Sequence, residues 1–438
     1  MLLCLKMNNE SYKDCLDKLF KLGRFGIKLE LDTISNILKF LNSPQKNYKT
    51  IHIAGTNGKG SIGTYISSIL TQAGYKTALY TSPHLVKFNE RFAINGKPVS
   101  DNEIVNAYKA VDNVDLGKRK ATFFEMATAM AFYIFNKNKV EFAVIETGMG
   151  GRFDATNIVT PEVSVISNLS IEHTDYLGST IKDIAREKAG IIKSGRPVVT
   201  GVSQPSGIEF IKNKAKEKSA PLYIFKKDFS IRKTPKKNDF LYKGIFCSFK
   251  NIETPLKGDH QRENTALAIA ALELLQAKSN NKIEFTESII KKGLKKAKWP
   301  GRLDYLLEKP CVIIDGAHNQ HASKILGTYL EKNFKDKKIT SVIGILDDKP
   351  YEQMLKNMTT LSHRIIFTKA KTGRSIDPLI LKTAASKFSK AELIIMEDVG
   401  KACQFAMNTS KDEDIICISG SLYVAGEAKK KIDNEFKS

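Results

Sequence analysis

No run among the 438 residues approaches the ~18–20 consecutive apolar positions that a membrane-spanning helix needs, so none is expected. The cysteines Cys4, Cys15, Cys247, Cys311, Cys403 and Cys417 contain no C-x-x-C pair and read as scattered free thiols of a reducing compartment. The opening MLLCLKM is too short an apolar run for a signal peptide, and a cytoplasmic protein is expected. Acidic residues are the scarcer charge: 47 Asp and Glu stand against 69 Lys and Arg, a net charge of +22. Such a balance suits a nucleic acid or an acidic substrate. The lysines are dispersed, with denser patches at 291–298, 332–338 and 429–431, and are not interleaved with aromatics on one stretch. That favours a solvated surface attracting polyanionic small molecules, and no nucleic-acid site is expected.

The common eight-residue P-loop pattern is also missing. No glycine stands five positions before Gly58, and Gly60 separates Lys59 from Ser61. What stands there instead is TIHIAGTNGKGSIGTYISS, residues 50–68. The β-branched run around Ile51 and Ile53 suits a buried strand, and 62–70 has apolar residues at helical spacing. Strand, glycine loop and helix place backbone N–H groups and a helix N-terminus around an anion, and Lys59 adds a point charge on terminal phosphates. Gly55, Gly58 and Gly60 permit the close approach of phosphate that side chains would block.

Hydrophobic content of 42% and charged content of 26% are ordinary for a globular protein, and the length suits two or three domains of ~100–200 residues. Residues 8–47 read as two short helices around a loop at 23–26. A strand at 77–80 runs into 81–96, which carries Ser82, His84 and Arg91 and reads as a functional loop. Helices follow at 101–111 and 122–135, the latter with Thr122 and Glu125 spaced as a capping box. The strand 140–145 ends at Glu146, and an acidic residue at a strand end near a phosphate loop is where Mg²⁺-nucleotide enzymes hold metal or metal-bound water. GMGGRFDATN at 148–157 exposes backbone beside Arg152 and Asp154. After the strand 163–168 come His173 and Asp175, on the ligand edge of an open α/β sheet, then a helix at 181–188.

A strand is expected at 197–202. Short strands at 222–225, 239–242 and 244–249 read as a β-rich insertion. Gln261 and Asn264 open an amphipathic helix, where a base or ribose is within reach. The Trp299-Pro300-Gly301-Arg302 turn marks the linker between domains 1–297 and 298–438. Beyond it, apolar strands at 311–314, 340–345, 364–368, 393–396 and 415–419 alternate with helices, a βαβ pattern with a largely parallel sheet. His318 and His321 lack a third ligand, so no metal site is expected there. Gly420 and Ser421 are placed either to cap the last helix or to bind an anion.

The motifs GTNGKGS, YTSPHL, TFFE, ETGMGGRFDATN, IEHTDYLG, REKAG, HQRENTALA, PGR and DGAHN occur in the order seen in the folylpolyglutamate synthase/dihydrofolate synthase family of the Mur ligase superfamily. The resemblance runs from about residue 20 to the final SGSLYVAGE. It implies an α/β protein with a P-loop-containing Mur-ligase-type central domain plus a smaller Rossmann-like C-terminal domain. It also implies a monomeric ATP- and Mg²⁺-dependent ligase. Such a ligase phosphorylates a pteroyl carboxylate and passes it to the α-amino group of L-glutamate, with the domains closing over the substrates.

Residue by residue, the resemblance puts the triphosphate on Gly55, Thr56, Asn57, Gly58, Lys59, Gly60 and Ser61. Asn264, Arg302 and Asp315 match further nucleotide positions, and Ser82, Glu146 and His173 match the magnesium positions. Thr122, Phe123, Phe124, Glu125 and Asp154 match the pterin site. Asp315, Gly316, Ala317 and His318 line the active site from the C-terminal domain. The expected catalytic set is Lys59, Lys188 and His318, with Lys188 matching a lysine that relatives carbamylate. Phe153 stands where many relatives have leucine. The first pterin substrate is left as dihydropteroate, a reduced folate, or both.

Overall fold

The computed structural model describes residues 11–22, 30–114, 119–234, 239–279 and 283–435. The loop expected at 23–26 and the opening seven residues lie outside them. The chain divides into two compact units. One holds the chain up to Ser82, Asn89–Glu253 and Glu263–Ala297; the other holds Pro83–Phe88, Thr254–Arg262 and Lys298–Ser438.

In the first unit, α1 (Tyr12–Leu22) and α2 (Asp32–Phe40) precede β1 (Lys49–Ala54) and α3 (Lys59–Gln72). Then come β2 (Thr77–Tyr80), β3 (Phe92–Ile94), β4 (Lys97–Pro98), α4 (Asp101–Asp112), α5 (Phe123–Lys137), β5 (Phe142–Glu146) and β6 (Val163–Ile166). α6 (Thr174–Leu177), α7 (Ile181–Lys188), β7 (Val198–Thr200), α8 (Pro205–Glu217) and β8 (Leu222–Ile224) complete the main layer. Among the described residues these strands form an eight-stranded sheet in the order β4-β3-β2-β5-β1-β6-β7-β8. From β2 to β8 neighbouring strands run parallel, and β3 and β4 add antiparallel at one edge.

β1 lies between β5 and β6, so the chain leaves it toward one side of the sheet and later returns on the other. That is the switch point of an open α/β sheet, where the carboxyl ends of neighbouring strands diverge and leave room for a ligand. β1, β5 and β6 are almost wholly buried, as strands covered on both faces must be. On one face α7 and α8 pack Ile184, Ala185, Ile211 and Ala215 against Ala54, Ile166 and Val198. Reciprocal capping boxes fix the starts of three helices: Ser100 with Glu103, Thr122 with Glu125 and Thr180 with Asp183.

The stretch 81–96 is not all loop. It contains β3, whose residues pair antiparallel with β2. Polar residues on both sides of a strand only three residues long hide its alternation. The expected insertion also differs. β8 joins the main sheet, whereas β9 (Ser230–Lys233), β10 (Asp239–Lys243) and β11 (Ser248–Glu253) form a separate antiparallel three-stranded sheet. Residues 244–247, expected as strand, make the turn between β10 and β11. α9 (His260–Lys278) and α10 (Glu287–Lys296) follow.

The second unit contains β12 (Asp304–Glu308), β13 (Cys311–Ile314), α11 (Gln320–Phe334), β14 (Ile339–Ile343), α12 (Tyr351–Met358), β15 (Ser362–Lys369), α13 (Pro378–Ser386), β16 (Glu392–Asp398), α14 (Val399–Thr409), β17 (Ile415–Ser419) and α15 (Leu422–Glu435). Its sheet order is β12-β13-β17-β14-β15-β16. It is parallel except for the unexpected edge strand β12, which pairs antiparallel with β13. Two apolar layers cover it, one built on Ile313, Ile343 and Phe367 and the other on Ile314, Val342 and Ile418. Ser421 receives the Val424 N–H at 3.1 Å and so caps α15.

Candidate functional site

The phosphate loop leaves the carboxyl end of β1 and is tied to the end of β6. The Thr56 N–H donates to Asn168 O and the Asn57 N–H to Asn168 Oδ1, each at 3.0 Å, while Ser167 Oγ donates to Asn57 O at 2.6 Å. Gly58 is the N-cap of α3 at φ 85°, and a Cβ there would stand 2.5 Å from Asn264 Oδ1. The loop can therefore turn into the helix only with glycine at this position. α3 carries no acidic residue in its first turn, which keeps its positive end available to an anion.

Lys59 opens α3. Its ammonium donates to Gly55 O at 3.0 Å and Thr56 O at 3.4 Å, and stands 3.9 Å from Glu146 Oε1. Glu146 ends β5, is buried, and accepts the Ser82 N–H from the neighbouring strand end at 3.2 Å. Four of the predicted residues, Gly58, Lys59, Ser82 and Glu146, thus meet at one sheet edge. His173 follows β6, is exposed, and takes a left-handed backbone at φ 49°.

Behind this edge Lys188 is buried at the end of α7, 3.1 Å from Glu172 Oε1. Burial pushes the lysine down to about 8 against the pull of Glu172. Burial by itself would raise the Glu172 carboxyl, but Lys188, Lys59 and His173 together hold it below its usual range. Glu172 was missed because nothing in IEHTDY marks it; its partner is 16 residues away and becomes adjacent only when α7 docks.

The expected pterin residues gather in the same unit. Thr122 and Glu125 cap α5, with Glu125 Oε2 accepting the Thr122 N–H at 2.8 Å and Oε1 meeting Arg119 at 3.1 Å. Phe123 stacks on Phe20 at 5.7 Å, with the Arg91 guanidinium 5.2 Å from its centroid. Phe124 lies 6.2 Å from Tyr80, and a Cβ on Gly148 would stand 2.4 Å from its ring. Asp154 accepts from the Met149 N–H at 2.9 Å and the Thr156 N–H at 3.0 Å. Burial nevertheless raises its carboxyl above the usual range. Arg119 is a further side chain that the sequence did not single out.

In the second unit Asp315 follows β13. Its carboxylate accepts the N–H groups of Leu303 and Ala317, each at 2.8 Å, and burial raises its pKa against the pull of Arg302. Arg302 donates to Gly316 O at 3.3 Å. His318 Nδ1 lies 2.8 Å from Gly316 O; a carbonyl only accepts, so Nδ1 carries a proton. His260, on the same unit, is pushed down to about 4 by burial and by Arg302 and His321.

Among the described residues no group of three or more His, Cys, Asp and Glu forms a metal centre. Magnesium beside a nucleotide needs less: one or two carboxylates, with phosphates and water completing its shell. Glu146, a buried oxygen donor at a strand end beside the phosphate loop, fits that demand.

The comparisons with known proteins agree along the chain. Residues 53–272 match the Mur ligase middle domain and residues 301–422 match the Mur ligase glutamate ligase domain. A Bacillus subtilis dihydrofolate synthase/folylpolyglutamate synthase is 36% identical over 433 residues, covering 96% of this chain and 99% of that protein. The protein of that name from Escherichia coli is 30% identical, over 93% of this chain and 92% of its own. Among solved structures, Escherichia coli FolC in complex with DHPP and ADP superposes with a TM-score of 0.89 at 29% identity, over 98% of this chain and 99% of that one. Mycobacterium tuberculosis folylpolyglutamate synthase complexed with ADP and AMPPCP gives 0.87 at 29% identity, over 96% and 98%.

Proposed function

The chain belongs to the dihydrofolate synthase/folylpolyglutamate synthase family of Mur ligases, and from that premise we infer an ATP-dependent ligase that joins L-glutamate to dihydropteroate or a reduced folate. The observation that carries the reading is the Gly58–Lys59 turn at the switch point of the sheet, with Glu146 3.9 Å from the lysine. A carboxylate is a poor electrophile. Its oxygen attacks the γ-phosphorus of ATP, the bond to the β-phosphate oxygen breaks, and ADP leaves. The glutamate amine then attacks the carbonyl carbon, the C–N bond forms, and phosphate departs as the amine loses a proton.

The ATP-binding part is assigned to residues 1–297 and the glutamate-ligating part to 298–438. Gly55 to Ser61 supply backbone N–H groups and the α3 N-terminus to the triphosphate, with Lys59 on its outer end. Asn264, Arg302 and Asp315 are assigned to the rest of the nucleotide. Bringing an anionic carboxylate onto an anionic phosphate requires cations between them. Magnesium, when bound, neutralises phosphate charge, and Glu146 with Ser82 and His173 would hold it. Thr122, Phe123, Phe124, Glu125 and Asp154 offer stacking and hydrogen bonds to a pterin. Asp315, Gly316, Ala317 and His318 are assigned to the acceptor side, with His318 Nε2 taking the amine proton.

ADP release measured with glutamate and either dihydropteroate or tetrahydrofolate tests the reading. Release that requires glutamate and a pteroyl carboxylate is expected. Absence of release with both substrates would overturn it, and turnover of a UDP-sugar carboxylate instead would move the chain to another Mur ligase activity.

A further inference from the structure

His52 is the only ionisable side chain in the buried run 50–54, and it has no exposed surface. Its Nε2 lies 2.9 Å from Thr156 Oγ1. That hydroxyl donates to Asp154 Oδ1 at 2.5 Å, and the Thr156 N–H reaches the same oxygen at 3.0 Å. A carboxylate only accepts, and a hydroxyl has one proton. With Asp154 ionised, Thr156 spends its proton on it and accepts from the imidazole. In that state Nε2 is protonated and Nδ1 is bare. Nδ1 is buried with no hydrogen-bond partner. An apolar residue would fill this strand position without that penalty, so the Nε2–H donor is what the position supplies.

We propose that His52 is a positioning residue that acts through Thr156 to hold Asp154 as an oriented carboxylate presented to the N–H donors of the pteridine. This rests on the reading of Asp154 as a pterin contact. Burial pushes the imidazole down to about 3, so its state does not change across the working pH range. The groups facing Asp154 from other elements are Tyr80 of β2 and Lys188 of α7, and Lys193 is the cation facing His52. Asp154 is buried among these groups and would tend toward the neutral acid. A hydroxyl polarised from behind by an imidazole N–H strengthens the donor to its Oδ1 and favours the charged form.

The test compares H52L, which removes the donor, with H52Q, whose amide can restore it. In H52L the KM for dihydropteroate should rise about five- to tenfold, the loss of one hydrogen bond, with kcat and the KM for ATP moving far less. H52Q should return to within about threefold of the parent. Nitrogen-15 NMR of the unmodified protein should find His52 protonated at Nε2 and bare at Nδ1 from pH 5 to 8, a readout independent of whether H52L folds. A proton on Nδ1, or an unchanged dihydropteroate KM in H52L, overturns the relay. D154N separates the two ideas. If D154N leaves the dihydropteroate KM unchanged, the assignment of Asp154 fails; if D154N raises it and H52L does not, the relay alone fails.

Discussion

Asn264 of α9 stands directly over Gly58 of the phosphate loop, with its Oδ1 2.5 Å from where a Cβ would sit. Residues 206 positions apart thus share one van der Waals boundary. The nucleotide position expected at Asn264 and the loop expected to cradle phosphate are one piece of structure.

Gly58→Ala should therefore damage both fold and function. The φ of 85° is unfavourable to alanine, and the new methyl must displace Asn264. A destabilisation of about 1–3 kcal/mol is expected from the strained backbone, with a higher KM for ATP. Urea unfolding with ADP-release kinetics checks it. A variant with the parent's midpoint and KM would show that the loop relaxes at no cost.

Lys59→Ala should separate catalysis from stability. The ammonium is half-buried and bonded to loop carbonyls, so the fold loses little. Removal of one charge aimed at the reacting phosphate should lower kcat about 10²–10³-fold. Thermal melting and single-turnover ADP formation read the two effects; a kcat close to the parent's would remove Lys59 from the mechanism.

The places of most candidate residues within their own units were legible because they end strands or begin helices. Glu146 closes β5, Asp315 follows β13, and Lys59 opens α3, positions that the period of the apolar pattern locates. What escaped was contact between distant segments. Glu172 has meaning only through Lys188, and Arg119 only through Glu125. His52 looked like any residue of a buried strand until Thr156 was folded against it. The antiparallel strands β3 and β12 escaped for a different reason. β12 lies at the edge of its sheet, where an apolar sequence is less demanded, and β3 is only three residues long, too short to show an alternation.

Glu273→Ala should loosen the three-stranded sheet without touching catalysis. The buried carboxylate accepts from Tyr242 OH, the Cys247 thiol and the N–H groups of Ile245, Phe246 and Cys247. Removing it strands the buried Tyr242 hydroxyl, at about 1–3 kcal/mol if it finds no replacement, and frees the turn N–H groups to water. Faster amide exchange at residues 245–247 is expected, with ADP release near the parent's. The thiol gives a second readout. Burial and then Glu273 push Cys247 up to about 12, so losing the carboxylate moves it down and speeds alkylation at pH 8. Unchanged exchange and alkylation would refute the clamp.

Lys188 should leave a signature in the pH dependence of stability. Its folded pKa of about 8 lies below the ordinary 10.5. Between these values the unfolded chain binds the proton and the folded chain does not, so the sign is fixed: stability rises with pH through the window from 8 to 10.5. The gap between these two values bounds the effect at about 3 kcal/mol. Other groups titrate there too, so the difference between the parent and K188M isolates the lysine. In carbon-dioxide-free buffer that difference should grow as pH rises from 8 to 10.5; a flat difference would place Lys188 at an ordinary pKa. The same shift bears on carbamylation, which requires the neutral amine. Labelled carbon dioxide should give a carbamate resonance that strengthens from pH 7 to 8.5 and is missing in K188M. If the resonance never forms while the stability difference still grows with pH, Lys188 is a depressed ammonium paired with Glu172 and nothing more.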